Sequence, residues 1–393
     1  MNTLSLLQIS KNLFDKDFDA HKDEIYYLLN GAKILVIGGA GSIGKATVKQ
    51  IFKRNPKILD IVDISENNLV ELVRDIRSST GHNQCELKTY AIDAGSSEFK
   101  FFFQNNTYDY IFNLSALKHV RSEKDPFTLM RMLEVNIFNV VGMLRFKKYN
   151  LKNFFCVSTD KAVNSSNMMG ASKKIMELFL LRESINQKLS MCRFANVAFS
   201  DGSLLHGFNQ RFLKQQPISA PLDILRYFIT EEESGIFCLL TCLLGENREI
   251  FFPKLNSDLK LIKFTDIVEK YLYQLGYSVG LCDSEEEARN KAKDLISKKK
   301  WPCFFFKSDT SGEKPFEEFY LKNENLNLNK FDSIGIIKNN LKFNEDDLNK
   351  FEQGIIKLKK KSSWTKKEIL ELFYIVIKDF SHKETGLNLD QKM

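Results

Sequence analysis

With 393 residues, 43% of them hydrophobic and 27% charged, the chain is long enough for two or three domains of ~150 residues, and its composition excludes fibrous and wholly disordered classes. Its formal charge of +7 is spread over a lysine-rich sequence, so nothing singles out nucleic acid as a partner. The seven cysteines are odd in number, scattered and without a Cys-x-x-Cys pair, and the five histidines share no ligand spacing with them; reduced thiols and no metal are expected.

Residues 1–30 predict a helical extension of one or two amphipathic helices, with Leu4, Leu6, Leu7, Leu13, Phe14 and Phe18 as apolar teeth. That stretch lacks the basic start and small-residue cleavage site of a secretory signal, so the cytoplasm is the expected location. From Lys33 onward the runs ILVIG, ILDIVD, LKTYAID, YDYIFNLSA, NFFCVST and SMCRFANVA alternate with helix-length segments. Short runs rich in Ile, Val and Phe at this spacing predict parallel strands buried on both faces. The fold class is therefore α/β, a Rossmann-type doubly wound parallel sheet over residues 31–200. Beyond 200 the alternation loosens and Pro217, Pro221 and Pro253 break the chain into shorter pieces, which predicts a smaller substrate lobe over 201–320. Within it, 284–300 reads as an inserted, solvent-exposed charged helix. Residues 321–393 form a C-terminal extension with a helix in WTKKEILELFYIVIKDF. The longest apolar run, Ile236–Leu244, is about half the ~20 residues needed to cross a bilayer, so no membrane span is expected.

The strongest local signal is the first apolar run leading straight into Gly38, Gly41 and Gly44, with Ser42 and Ile43 in the same cofactor-binding turn, and then into a helix. A turn this tight needs residues without a β-carbon, and a pyrophosphate must approach backbone N–H groups at the positive end of the helix. Asp63 closes the second strand, where a carboxylate can accept from ribose hydroxyls and repel a 2′-phosphate, favouring NAD over NADP; the alternative is a cap on the following helix. Asp93, at the end of the third strand, stands where an adenine amino group would be met.

STDKAVNSSNMMGASKK at 158–174, together with GGAGSIG and NLSALKHV, resembles the extended short-chain dehydrogenase/reductase superfamily. More narrowly it is similar to the bacterial nucleotide-sugar 4,6-dehydratases of polysaccharide and glycan biosynthesis that act on UDP-N-acetylglucosamine. The likeness runs from about residue 31 to about 275 and resumes at TSGEKPFEEF, residues 310–319. The resemblance implies NAD as cofactor and a cycle in which hydride leaves carbon-4, water is eliminated across carbons 5 and 6, and hydride returns to carbon-6. It also implies a homo-oligomer, since family members commonly pair through a helix bundle.

Expelling water from a 4-keto sugar needs a base for the carbon-5 proton and an acid for the departing hydroxyl beside the same ring, and an adjacent acid and amine meet that need. By resemblance Lys161 is the base and Asp160 the acid. The superfamily's Tyr-x-x-x-Lys pair, one helical turn apart, appears here as Met169 and Lys173. A thioether cannot exchange a proton near neutrality, so for an ordinary dehydrogenase the change would disable the site. Within the dehydratases, methionine resembles the branch that retains configuration at carbon-5, and Thr159 becomes the candidate for the carbon-4 hydroxyl proton, relaying through the ribose and Lys173 or through Asp160. Ser115 and Ala116 would lie on the cofactor side, and Lys118 and His119 on the substrate side of the nicotinamide. Asn136 matches a family asparagine that supports the active-site strand. For the UDP moiety the resemblance points to Asn196, Ser203, Arg226 and Glu313, with Ala195 replacing the family's usual glycine. Two other readings stay open: an inverting dehydratase, and a catalytically silent scaffold that binds NAD or nucleotide sugar.

Overall fold

Ile34, Leu35, Val36 and Ile37 are all buried, and so are Leu59 to Val62 and Tyr110 to Phe112. Strands this apolar on both faces need helices on both sides. The computed structural model describes residues 3–387 apart from 8, 10, 147–150, 256–258, 311, 340 and 341. Its strands in chain order are β1 (Lys33–Ile37), β2 (Ile58–Asp63), β3 (Glu86–Ala91), β4 (Tyr110–Asn113), β5 (Asn153–Thr159), β6 (Leu189–Phe194), β7 (Asn196–Val197), β8 (Ile218–Pro221), β9 (Leu225–Ile229), β10 (Glu249–Pro253), β11 (Leu261–Lys263), β12 (Ser278–Cys282), β13 (Lys300–Phe306), β14 (Leu326–Asn327) and β15 (Ile334–Lys338).

The main sheet runs β14-β15-β10-β6-β5-β4-β1-β2-β3. From β3 to β10 every pairing is parallel, and β15 and β14 then add antiparallel. The order 3-2-1-4-5-6 is that of a Rossmann sheet, and it reverses between β1 and β4, opening a crevice at the carboxyl ends of those strands. The third run departs from expectation: β3 is an edge strand of exposed and half-buried residues, not one covered on both faces.

A second hydrophobic core, with Phe208, Ile218, Phe228, Tyr271, Leu272, Trp301 and Cys303, fills the lobe built on the parallel sheet β12-β13-β8 and the small sheet β11-β9-β7. Pro217, Pro221 and Pro253 flank or end strands rather than break the lobe into irregular pieces. Of the residues expected in the lobe, 231–253 return to the main body: the helix Glu231–Leu244 packs on the helix after the glycine turn, and β10 pairs with β6. The single charged helix expected over 284–300 is instead two short ones, Glu285–Asn290 and Ala292–Ser297, which form the crossover that the parallel pair β12 and β13 requires.

The N-terminal extension consists of three short helices, Thr3–Leu6, Asp15–Ala20 and Lys22–Leu29, rather than one or two. Phe14 stacks on Phe237 with ring centroids 4.9 Å apart, and Leu6 and Leu7 join the lobe core. The C-terminal extension adds β14 and β15 to the sheet, and then two helices, Glu345–Lys361 and Lys366–Val376. Phe351 stacks on Phe138 and meets Phe179, each at 6.2 Å, so these helices cover the face formed by 126–146 and by the helix Met168–Glu183. The continuous helical stretch Pro126–Phe146 is long and apolar enough to cross a membrane, a feature the run-length reading did not register; half of it is buried inside the fold.

Candidate active site at the ends of β1, β4 and β5

The glycine turn is shaped by steric demands on both sides. Gly38 has φ +75°, and a β-carbon there would lie 2.7 Å from the Ser115 backbone nitrogen; one on Gly44 would lie 2.2 Å from the Gly38 carbonyl oxygen. These two glycines close the turn onto β4 and onto the helix Ser42–Phe52. At Gly41, in contrast, the nearest protein atom to an added β-carbon is 3.7 Å away, so packing alone does not demand a glycine. Gly41 is the N-cap of that helix and has no side chain to cap it, which leaves backbone N–H groups, among them those of Ser42 and Ile43, open to an anion. These residues fit a dinucleotide pyrophosphate.

Asp63 holds the turn in place. One carboxylate oxygen accepts from Ala40 N and the other from Ser65 N, both at 2.9 Å, while Ser65 caps the following helix. Asp93 is engaged by Gly95 N at 2.8 Å and Arg131 at 2.5 Å, so an adenine amino group would have to share it. Ser115 abuts Gly38 and donates to Asn113 Oδ1 at 2.8 Å, with Ala116 next in the same loop. Asn136, fully buried in a π-helical turn at 134–138, accepts from Leu117 N at 2.9 Å and donates to Leu117 O and Ser172 Oγ, each at 3.1 Å. It ties the loop after β4 to the helix carrying Met169 and Lys173, rather than bonding the strand β5 itself. Lys118 reaches Ser200 Oγ at 3.5 Å, and burial pushes its pKa down against the pull of Asp201 and Glu231. The His119 ring lies against Gly202, where a β-carbon would come within 2.8 Å of it.

At the end of β5 the chain enters a 3-10 turn, Asp160–Ala162. Thr159 Oγ1 donates to Asp160 Oδ1 at 2.9 Å, and Lys161 Nζ donates to the same oxygen at 3.1 Å. Asp160 is 2% exposed. Desolvation works against the charge on Lys161, but Asp160 and Glu317 more than offset it and lift its pKa above the ordinary value. Met169 is buried in the core cluster. One turn on, Lys173 Nζ donates to Val157 O at 3.0 Å and lies 3.7 Å from Met176 Sδ; burial lowers its pKa.

The lobe closes over this turn. Arg226 on β9 pairs with Glu313 and donates to the carbonyls of Leu225 and Lys314 at 2.8 and 2.9 Å; it is 3% exposed. A diphosphate at Arg226 would have to displace Glu313. Asn196 donates to Tyr227 O at 3.3 Å, and Ser203 caps the helix Leu204–Leu213. The turn and the lobe thus approach each other at Lys161 and Arg226, whereas Glu313 meets Arg226 only from the lobe side, and Asn196 and Ser203 have local partners.

Sequence reasoning passed over Glu317, 4% exposed, whose Oε1 lies 3.8 Å from both Lys161 Nζ and an Arg226 nitrogen. Its only signal was the acidic doublet Glu317-Glu318 inside a segment read for Glu313. Also passed over were Glu123, which accepts from Met168 N at 2.6 Å at the start of the helix Met168–Glu183, and the buried pair Glu177–Arg193 behind β5. Gly312 positions the 312–317 segment: its carbonyl accepts from Ser166 Oγ at 2.7 Å and from Asn167 Nδ2 at 3.2 Å.

A family model described as polysaccharide biosynthesis protein matches residues 34–339. An uncharacterized membrane protein of Methanocaldococcus jannaschii is 28% identical over 311 residues, 77% of this chain and 85% of that protein. The capsular polysaccharide biosynthesis protein CapD of Staphylococcus aureus is 28% identical over 60% of this chain, which spans 40% of that protein's length. A UDP-N-acetylglucosamine 4,6-dehydratase (inverting) of Campylobacter jejuni is 27% identical over 64% of this chain and 74% of its own. Among solved structures, Pen from Bacillus thuringiensis superposes with a TM-score of 0.64 at 22% identity, over 80% of this chain and 89% of that one, a likeness of fold.

Proposed function

We propose that this chain, which belongs to the polysaccharide biosynthesis protein family, is an NAD-dependent 4,6-dehydratase of UDP-N-acetylglucosamine that retains configuration at carbon-5. One observation carries the reading: at the crevice end of β5, next to the strands of the glycine turn, a buried carboxylate and an amine stand side by side, with Asp160 Oδ1 shared between Thr159 and Lys161. The reaction needs an acid and a base on one face of one ring, and a surface ion pair would not be buried to this degree.

NAD would be held by Gly38, Gly41, Ser42, Ile43 and Gly44 at its pyrophosphate and by Asp63 at a ribose, and it supplies a hydride acceptor that each turnover regenerates. The protein's own groups manage the protons. Thr159 takes the carbon-4 hydroxyl proton and passes it to Asp160 along the hydrogen bond already in place between them; Lys173 is engaged instead with Val157 O. Asp160, now a carboxylic acid, delivers that proton to the hydroxyl leaving carbon-6. Lys161 removes the carbon-5 proton and returns it to the same face. Arg226 offers a charge-assisted donor to the diphosphate once Glu313 moves aside.

Retention rests on Met169, because a core thioether cannot reprotonate the sugar from the other face. The Campylobacter relatives carry the name inverting, which favours the second reading. Proton NMR of the product separates them: retention gives the D-xylo 4-ketone, and an L-arabino product overturns the methionine argument. A cytoplasmic setting accords with seven free, buried thiols.

A further inference from the structure

For Lys161 to act as a base it must first be neutral, yet the site is built to hold it as an ammonium. Two carboxylates flank it, Asp160 Oδ1 at 3.1 Å and Glu317 Oε1 at 3.8 Å. In the cycle above Asp160 cannot relieve Lys161 of its proton, because it is already protonated from carbon-4 when the base is needed. One acceptor remains beside the amine.

We propose that Glu317 is a positioning residue for the base: it takes the ammonium proton of Lys161 before carbon-5 is deprotonated and hands it back at the end of the turnover. This rests on the dehydratase reading. Three features of Glu317 suit the task. It is 4% exposed, so water does not compete for its proton. Its Oε2 is buried and makes no hydrogen bond among the described residues, with Lys314 Nζ 3.5 Å away. A carboxylate held for structure alone would be expected to satisfy that oxygen. The charged groups facing it are Lys161, Arg226, Lys314 and, beyond the lysine, Asp160; burial is the largest influence and raises its pKa, against the three cations. Glu313 and Glu317 meet the same Arg226 nitrogen, so a diphosphate drawing Arg226 away would strip Glu317 of a cation and make it a better proton acceptor.

The protons balance. The resting site holds Asp160 and Glu317 as carboxylates and Lys161 as ammonium. The carbon-4 hydroxyl proton passes to Asp160, and the Lys161 proton passes to Glu317. The carbon-5 proton then goes to Lys161 while Asp160 protonates the departing hydroxyl, which leaves as water. When hydride returns to carbon-6, Lys161 gives its proton back to carbon-5 and recovers one from Glu317. One water is lost, and no outside acid, base or oxidant is consumed.

The test is the pH profile of kcat for Glu317→Gln, an isostere that cannot accept a proton, with Glu317→Asp alongside. At neutral pH the glutamine variant is expected to lose about tenfold or more in kcat, with KM nearly unchanged. Its activity should climb toward wild type as pH rises, because hydroxide then relieves Lys161 directly, and Glu317→Asp should recover most of the neutral-pH rate with a profile like that of wild type. A glutamine profile parallel to wild type, or higher neutral activity, overturns the proton role while leaving the dehydratase reading intact. A wild-type protein that leaves the sugar unchanged overturns both. Should the glutamine variant fold poorly, an aspartate variant that folds yet remains slow at every pH overturns the proposal equally.

Discussion

Two clusters of buried charge, one on β5 and β6 and one at the turn that follows β5, are satisfied to very different degrees. Behind the strands, Arg193 grips Glu177 through two nitrogens at 2.9 and 3.0 Å and Glu324 at 3.0 and 3.1 Å, while Ser158 donates to Glu177 at 2.6 Å. At the crevice end, Lys161, Arg226 and Lys314 surround Glu317 at 3.5 to 3.8 Å, and Glu317 leaves one oxygen without a hydrogen bond. Both clusters pay for desolvation. The first recovers it in a closed hydrogen-bonded network, whereas around Glu317 the second has only the longer ion pairs. Burial and charge alone therefore do not distinguish the two clusters; the completeness of their hydrogen bonding does.

Breaking each cluster should give opposite signatures. Lys161→Met is expected to lower kcat by about 10²- to 10⁴-fold with little change in unfolding midpoint, measured by steady-state kinetics beside urea denaturation. Arg193→Met leaves Glu177 buried without its main cation and should cost about 3–5 kcal/mol in the same urea experiment. Acid unfolding sharpens the contrast. Despite desolvation, Arg193 and Lys174 hold the Glu177 pKa down to about 2, below its ordinary 4.5. Its contribution is thus complete above about pH 4.5 and fades as pH falls toward 2; in Arg193→Met this acid-linked loss should shrink, as read from unfolding free energy against pH. The smallest effect is expected from Ser158→Ala, about 1–2 kcal/mol, because Glu177 keeps its arginine.

The strands of the Rossmann sheet were legible because most are short, near-continuous apolar runs, and the glycine turn because its steric needs are written in adjacent residues. β3 was read as covered on both faces because LKTYAID has the right residue types; only the sheet order shows that it is an edge. The return of 231–253 to the main body was invisible, since GIFCLLTCLLG looks the same packed on either domain. Within the site, Asp160 and Lys161 are neighbours in sequence and could be found by chemistry. Glu317 could not, because its meaning comes from a loop that Gly312 folds against Ser166 and Asn167, far along the chain. Asp63 shows the reverse limit: a strand-end carboxylate suits a ribose, and the same residue also anchors the glycine turn through Ala40, which spacing alone does not show.

The account stands on Asp160 and Lys161 acting together on a hexose beside the glycine turn. The most direct test is mass spectrometry of UDP-N-acetylglucosamine after incubation with the purified protein and with Lys161→Met. The account predicts loss of one water from the sugar nucleotide with wild type, without added oxidant, and an unchanged mass with the variant. An unchanged mass with wild type, or full conversion by the variant, would contradict it.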